Sequence, residues 1–166
     1  MTRRVVLIGH PVAHSLSGFM QQAAFDELGI DATYELWDRR PIELVDAIAE
    51  LRTDAFLGAN VTIPHKERVV PMVDRLTEEA QATGAVNTIT RDGKRLIGHN
   101  TDVGGFKVAL DKLVGSQVIA RRLPLNDRIL VVSGRVSFEI VQKAAVAGIG
   151  DVELSCFCRG GGRIVL

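Results

Sequence analysis

Two cysteines, one tryptophan and one tyrosine are all that this chain of 166 residues holds of those types. Cys156 and Cys158 stand two apart on a segment that reads as a strand. Their thiols would point the same way at a separation that strains a disulfide, and no further cysteine completes a thiolate site. A disulfide scaffold is excluded, and a pair of reduced thiols is expected rather than a metal or redox centre. Charge of one sign is also lacking: 20 Lys and Arg balance 20 Asp and Glu, with no long block of either. That balance excludes the electrostatic footprint of a nucleic-acid binder. No apolar run approaches the ~20 residues needed to span a bilayer. The run at 5–8, behind Arg3 and Arg4, is too short for a secretory core and stops at Gly9-His10-Pro11. The expectation is a soluble, cytoplasmic protein whose partner is a small molecule or another protein.

What is present is apolar material in short runs. A hydrophobic fraction of 46% with 24% charged residues supports one sizeable core, or one domain plus a fragment, and excludes intrinsic disorder. Runs at 5–9, 34–37 and 56–61, bounded by Gly, Asp and Asn, read as strands. Between them, residues 19–28 carry Met20, Ala23, Ala24 and Leu28 on one helical face and stop at Gly29. Residues 41–51 open with a proline and repeat Leu44, Val45, Ile48 and Leu51 at helical spacing. Two further helices are predicted at 64–76 and 78–82, the second capped by Thr77. Strands at 86–90 and 94–98 flank Asp92-Gly93, a hairpin signal. A helix over 103–114 leads to a polar stretch, 115–127, that reads as a linker. After it come a strand at 128–133, a helix at 137–147 and a strand at 152–157. The fold class is α/β: a mixed, mostly parallel open sheet covered by helices, then a truncated Rossmann-like βαβ unit. The corresponding domains are 1–112, the linker 113–127, and 128–166.

In such sheets ligands collect beyond the carboxyl ends of the strands. Four polar clusters fall at strand ends: His14-Ser15-Leu16-Ser17, Asn60-Val61-Thr62-Ile63-Pro64-His65-Lys66, Gly84-Ala85-Val86-Asn87-Thr88 and Asn100-Thr101-Asp102. Each taken alone reads as a turn or a cap, Ser17 above all. Together they offer hydroxyls, amides, the Lys66 ammonium and the Asp102 carboxylate, the last at a helix start where the dipole favours its charged form.

In order and spacing these clusters, with Gly9-His10-Pro11-Val12-Ala13 before the first and Gly98-His99 before the last, closely resemble the N-terminal domain of the shikimate dehydrogenases. The resemblance covers residues 4–112. It implies that Ser15, Ser17, Thr62 and Asn87 contact shikimate, and that Lys66 and Asp102 form the catalytic pair. Lysine would pass a proton to or from the reacting oxygen while the carboxylate orients it. It also implies NADP as hydride carrier, held by a second, Rossmann-type domain. Gly18 stands where that family commonly has proline, and Gln21-Gln22 where it often has His-Asn; these changes should affect helix entry more than ligand contacts.

The last third fits that family less well. The turn Ser133-Gly134-Arg135-Val136-Ser137-Phe138 has one glycine where a dinucleotide turn wants three. Residues 109–112, 123–128 and 133–145, with Phe157-Cys158-Arg159-Gly160-Gly161, instead resemble pieces of the formate dehydrogenase accessory sulfurtransferases, which suggests a hybrid. Arg159 stands near where the dehydrogenases place an arginine for the NADP 2′-phosphate; the other reading is a solvated surface arginine. The sequence therefore points to a shikimate-binding domain with the proton-transfer pair present and hydride transfer impaired in this chain. The competing readings are a structural scaffold without activity and a fragment of a formate dehydrogenase maturation factor.

Overall fold

The computed structural model describes residues 2–126, 128–133, 142, 144–155 and 163–165. The chain divides into two compact units, Met1–Gly104 and Gly105–Leu166.

The first unit is built on β1 (Arg3–Gly9), β2 (Ala32–Asp38), β3 (Phe56–Val61), β4 (Arg75–Leu76), β5 (Thr88–Asp92) and β6 (Arg95–His99). They form one sheet in the order β2-β1-β3-β5-β6-β4. β1 pairs in parallel with both β2 and β3, β5 runs antiparallel to β3 and β6, and β4 returns parallel to β6. The mixed sheet expected from the sequence is thus observed. A strand paired on both sides and covered on both faces must be apolar throughout, which is why Val5-Val6-Leu7-Ile8 lies in β1. Alternate residues serve opposite faces. Val6 and Ile8 join Trp37, Leu44, Phe56 and Val61 in the larger core, while Leu7 joins Val12, Tyr34 and the partly buried Phe25 on the other side.

The helices of this unit are α1 (Ser17–Glu27), α2 (Leu44–Glu50), α3 (Glu78–Thr83) and the start of α4 (Thr101–Ile119). Thr77 caps α3 by accepting from the Ala80 amide at 3.4 Å, and Gly84 ends it at φ 61°, a conformation that glycine takes without penalty. α1 presents a different face from the one its apolar spacing predicts. Met20 and Leu28 are 61% and 71% exposed, and the residues turned inward are Gly18, Gln21, Gln22 and Phe25. The helix docks by Phe25 and by the Gln22 amide, whose Oε1 accepts from the Tyr34 amide at 2.9 Å while Nε2 donates to the Ala32 carbonyl at 3.3 Å. In α2, Ala47 rather than Val45 completes the buried stripe of Leu44, Ile48 and Leu51.

Residues 64–76 do not form the predicted helix. They run as turns into a short 3-10 segment, Val70–Met72, and then into β4. Pro71 removes an amide from the middle of the stretch, and a proline disfavours α geometry in the residue before it. The hairpin also sits one residue further along than Asp92-Gly93 suggests. Asp92 pairs with Arg95, so Gly93 and Lys94 are the turn, and Gly93 takes its first position at φ 60°.

In the second unit α4 continues to Ile119, beyond the predicted end at 114. β7 (Ile129–Ser133) and β8 (Asp151–Ser155) pair in parallel, and β9 (Arg163–Val165) lies antiparallel to β8. Leu110, Leu125, Leu130, Ala144, Ala147, Ile149 and Val152 make its core. Leu125 is anchored there by its amide on the Ala147 carbonyl at 2.9 Å. The single-glycine turn at 134–138, Cys156, Cys158, Arg159 and Gly160 to Gly162 lie outside the described residues. None of the described helices is long and apolar enough to cross a membrane.

Candidate functional site

Two parallel strands that end side by side release their loops side by side. Ile8 of β1 pairs with Val61 of β3. The pairing continues past the strand ends, with the Thr62 amide on the Ile8 carbonyl at 2.9 Å and the His10 amide on the Ile63 carbonyl at 3.0 Å. Gly9 permits this approach: a Cβ there would run into the side chains of Thr62 and Val12. Between the loops lies a cleft of about 420 Å³, lined by Leu7, His10, Pro11, Val12, His14, Ser15, Ser17, Thr62 and Ile63. Three sequence-predicted residues, Ser15, Ser17 and Thr62, therefore share one cleft. Ser15 Oγ accepts from the Ser17 amide at 3.2 Å, closing a turn ahead of α1, while Leu16 holds the N-cap position without a side-chain cap and Ser17 is the first helical residue. At the rim the His10 ring contacts Asp38 at 2.5 Å, and that contact lowers the Asp38 carboxyl below its usual range.

Lys66 and Asp102, 36 residues apart in the chain, meet directly: Nζ donates to Oδ2 at 2.7 Å. Each is set from its own side. The Lys66 carbonyl accepts from the Val86 amide at 2.7 Å. The preceding His65, fully buried, bonds through Nε2 to the Arg39 carbonyl at 2.6 Å. On the other side Asn100 Oδ1 accepts from the Asp102 amide at 3.1 Å, and its Nδ2 holds Thr83 Oγ1 and the Ala85 carbonyl. The side chains of Lys66 and Asp102 remain 33% and 58% exposed, so a ligand atom has access to both.

Asn87 is nearly buried, at 9% exposure. Its Oδ1 accepts from the Thr101 amide at 2.9 Å and its Nδ2 donates to Thr101 Oγ1 at 2.9 Å, so one amide grips the first residue of α4. Asn87, Lys66 and Asp102 are not among the residues lining the serine cleft. The link is Asn60, which lies two residues before Thr62 and donates from Nδ2 to Thr88 Oγ1 at 3.2 Å. Sequence reasoning misses Tyr34, because a lone tyrosine in a strand reads as core. Its hydroxyl donates to Asn60 Oδ1 at 2.8 Å, and burial pushes it up to about 12. A second cleft, of about 520 Å³ and lined by residues such as Leu113, Arg122 and Ile149 of the second unit, contains none of the motif residues.

Over residues 7–89 the chain matches the family described as the shikimate dehydrogenase substrate binding domain. It is 53% identical over 114 residues to the shikimate dehydrogenase (NADP(+)) of Salinibacter ruber, covering 69% of this chain and 40% of that protein. It is 39% identical over 155 residues to the enzyme of that name from Geobacter sulfurreducens, covering 93% of this chain and 52% of that one. Among solved structures, the shikimate 5-dehydrogenase of Thermus thermophilus in complex with NADP(H) and shikimate superposes with a TM-score of 0.68 at 36% identity. That match covers 94% of this chain and 56% of the Thermus chain. The chain thus spans about half, or less, of the length of these curated relatives. The Geobacter alignment extends through most of the second unit, and nothing in these likenesses supports a sulfurtransferase fragment there.

Proposed function

The chain belongs to the shikimate dehydrogenase substrate binding domain family, and on that footing we propose that its first unit binds shikimate or 3-dehydroshikimate, with Lys66 and Asp102 as the proton-transfer pair. The observation that carries this reading is the 2.7 Å contact between the Lys66 ammonium and the Asp102 carboxylate. A lysine held by a carboxylate, yet open to solvent, can hydrogen-bond a secondary hydroxyl: as the neutral amine it accepts that hydroxyl's proton when the alcohol is oxidised, and as the ammonium it gives a proton to the oxygen when the ketone is reduced. As the ketone is reduced, the ammonium also stabilises the charge that develops on oxygen. Asp102 keeps the ammonium pointed at that oxygen. Ser15, Ser17 and Thr62 supply donors and acceptors for the rest of a small polyhydroxylated acid, and the Asn87 amide orients the helix start behind Asp102.

The hydride must come from NADP, as the names of the relatives indicate. The parallel β7–β8 pair has the strand frame of a dinucleotide unit, but the donor set does not fit. One glycine, Gly134, with Arg135 and Phe138 close to it in sequence, stands where a dinucleotide turn wants three. NADP binding and hydride transfer by this chain are accordingly weak, and Arg159 is at most a partner for the 2′-phosphate.

Calorimetric titration with millimolar shikimate tests the reading. Heat of binding is expected from the parent chain and not from Lys66→Ala; a silent parent, or a Lys66→Ala variant that binds equally well, refutes it. Following NADPH formation with shikimate tests the cofactor statement, and turnover at a rate typical of enzymes would overturn it.

A further inference from the structure

Tyr34 and Asn60 belong to strands that do not touch, since β1 runs between β2 and β3. The Tyr34 hydroxyl nevertheless spans that strand and donates to Asn60 Oδ1 at 2.8 Å. From there Asn60 Nδ2 donates to Thr88 Oγ1 at 3.2 Å, the Thr88 hydroxyl donates to Asn87 Oδ1 at 3.1 Å, and Asn87 Nδ2 donates to Thr101 Oγ1 at 2.9 Å. Four bonds run in one sense, from a buried phenol to the residue before Asp102. Bonds aligned in this way polarise one another.

A primary amide has nearly the same shape after a half turn, but its donor and acceptor are exchanged. Something must therefore decide which way Asn60 lies. A turned amide would set Nδ2 against the Tyr34 oxygen and leave the phenol hydrogen without an acceptor inside the core formed with Leu7 and Val12. Stranding a buried donor is unfavourable enough to select one orientation. The turned amide would also present an oxygen to Thr88, whose hydroxyl would swing to it and release Asn87 Oδ1.

We propose that Tyr34 is a positioning residue, whose hydroxyl sets the direction of this hydrogen-bond series and through it, alongside the Thr101 amide that Asn87 Oδ1 also accepts, the placement of Asn87 and of the helix start that carries Asp102. The inference rests on the reading of Asn87 and Asp102 as parts of a shikimate site.

The experiment combines calorimetry with shikimate and the side-chain amide signals of Asn87 in 1H–15N spectra, on the full chain. The variants are Tyr34→Phe, Thr88→Val, the double variant, and Thr88→Ser, which keeps the hydroxyl. Tyr34→Phe and Thr88→Val are each expected to weaken shikimate about tenfold, the equivalent of one lost hydrogen bond. The double variant should be little weaker than either single one, because both cut the same series. Thr88→Ser should bind like the parent, and the Asn87 amide signals should shift in Tyr34→Phe even without ligand. A tyrosine that only packs would leave those signals in place and give additive losses, which overturns the proposal. So does parental affinity in both single variants where Lys66→Ala has lost binding. A parent chain that fails to bind shikimate refutes the site reading instead, and the ligand-free Asn87 signals then decide the inference by themselves.

Discussion

Single atoms set the shape of the cleft and the state of the pair beside it. At Gly9 the missing Cβ is the space that the Thr62 side chain occupies. Gly9→Ala should push Thr62 aside, costing about 1–3 kcal/mol of stability as overpacking usually does, and weakening shikimate as well. Denaturant titration and calorimetry on the same sample check both effects; a variant with parental values in both would show that the loop simply gives way. The Lys66–Asp102 contact makes a different prediction. Both side chains are substantially exposed, and such pairs contribute about 0–1 kcal/mol. Asp102→Asn should therefore melt within a few degrees of the parent while losing shikimate affinity, and equal losses in melting and binding would mark the pair as structural. The two groups are visible in the sequence because they sit in polar motifs at strand ends, where a packed fold has little other use for a lysine or a carboxylate. Tyr34 is not, since its partner lies 26 residues on in another strand and nothing local to it distinguishes a working phenol from a core aromatic.

Elements are legible where their two ends are punctuated. β3 lies at 56–61 as expected, bounded by Asp54 on one side and the Thr62-Ile63-Pro64 turn on the other. The stretch 64–76 misleads because its apolar spacing suits a helix, while Pro71 within it weighs more than the spacing does. The inward face of α1 misleads for a better physical reason. Periodicity counts apolar residues, and this helix docks through an amide: Gln22 satisfies both a donor and an acceptor of β2. Beyond any effect on helix entry, Gln22 stands in for a neighbouring strand. Gln22→Ala should cost about 1–2 kcal/mol, one or two buried backbone groups losing their partners, and lower the melting temperature by several degrees. A thermal melt indistinguishable from the parent's would show that solvent replaces the amide freely.

Across the first unit the charged groups share one tendency. Arg4 lowers the Glu35 carboxyl, His10 lowers Asp38, Arg52 lowers Asp74, and Arg40 holds Glu43 down at about 2. A carboxyl whose folded value lies below its unfolded value stabilises the fold at any pH above the unfolded value. That contribution disappears as pH falls through the folded one. The urea midpoint should thus be level near neutrality and decline below the usual carboxylate range, with Glu43 still contributing until about pH 2. All four carboxylates are partly open to solvent, so the decline should be shallower in molar salt. A midpoint that rises on acidification would contradict the assignment.

The sheet of this unit has two margins, the two-residue strand β4 and the strand β2 that Gln22 engages. Unpaired strand borders are where identical molecules template one another into fibrils. Here an incoming chain would find a ladder too short to hold it on one side and, on the other, backbone groups already taken along the first half of the strand. The Gln22→Ala variant, with that border reopened, should accordingly bind thioflavin sooner than the parent protein at equal concentration.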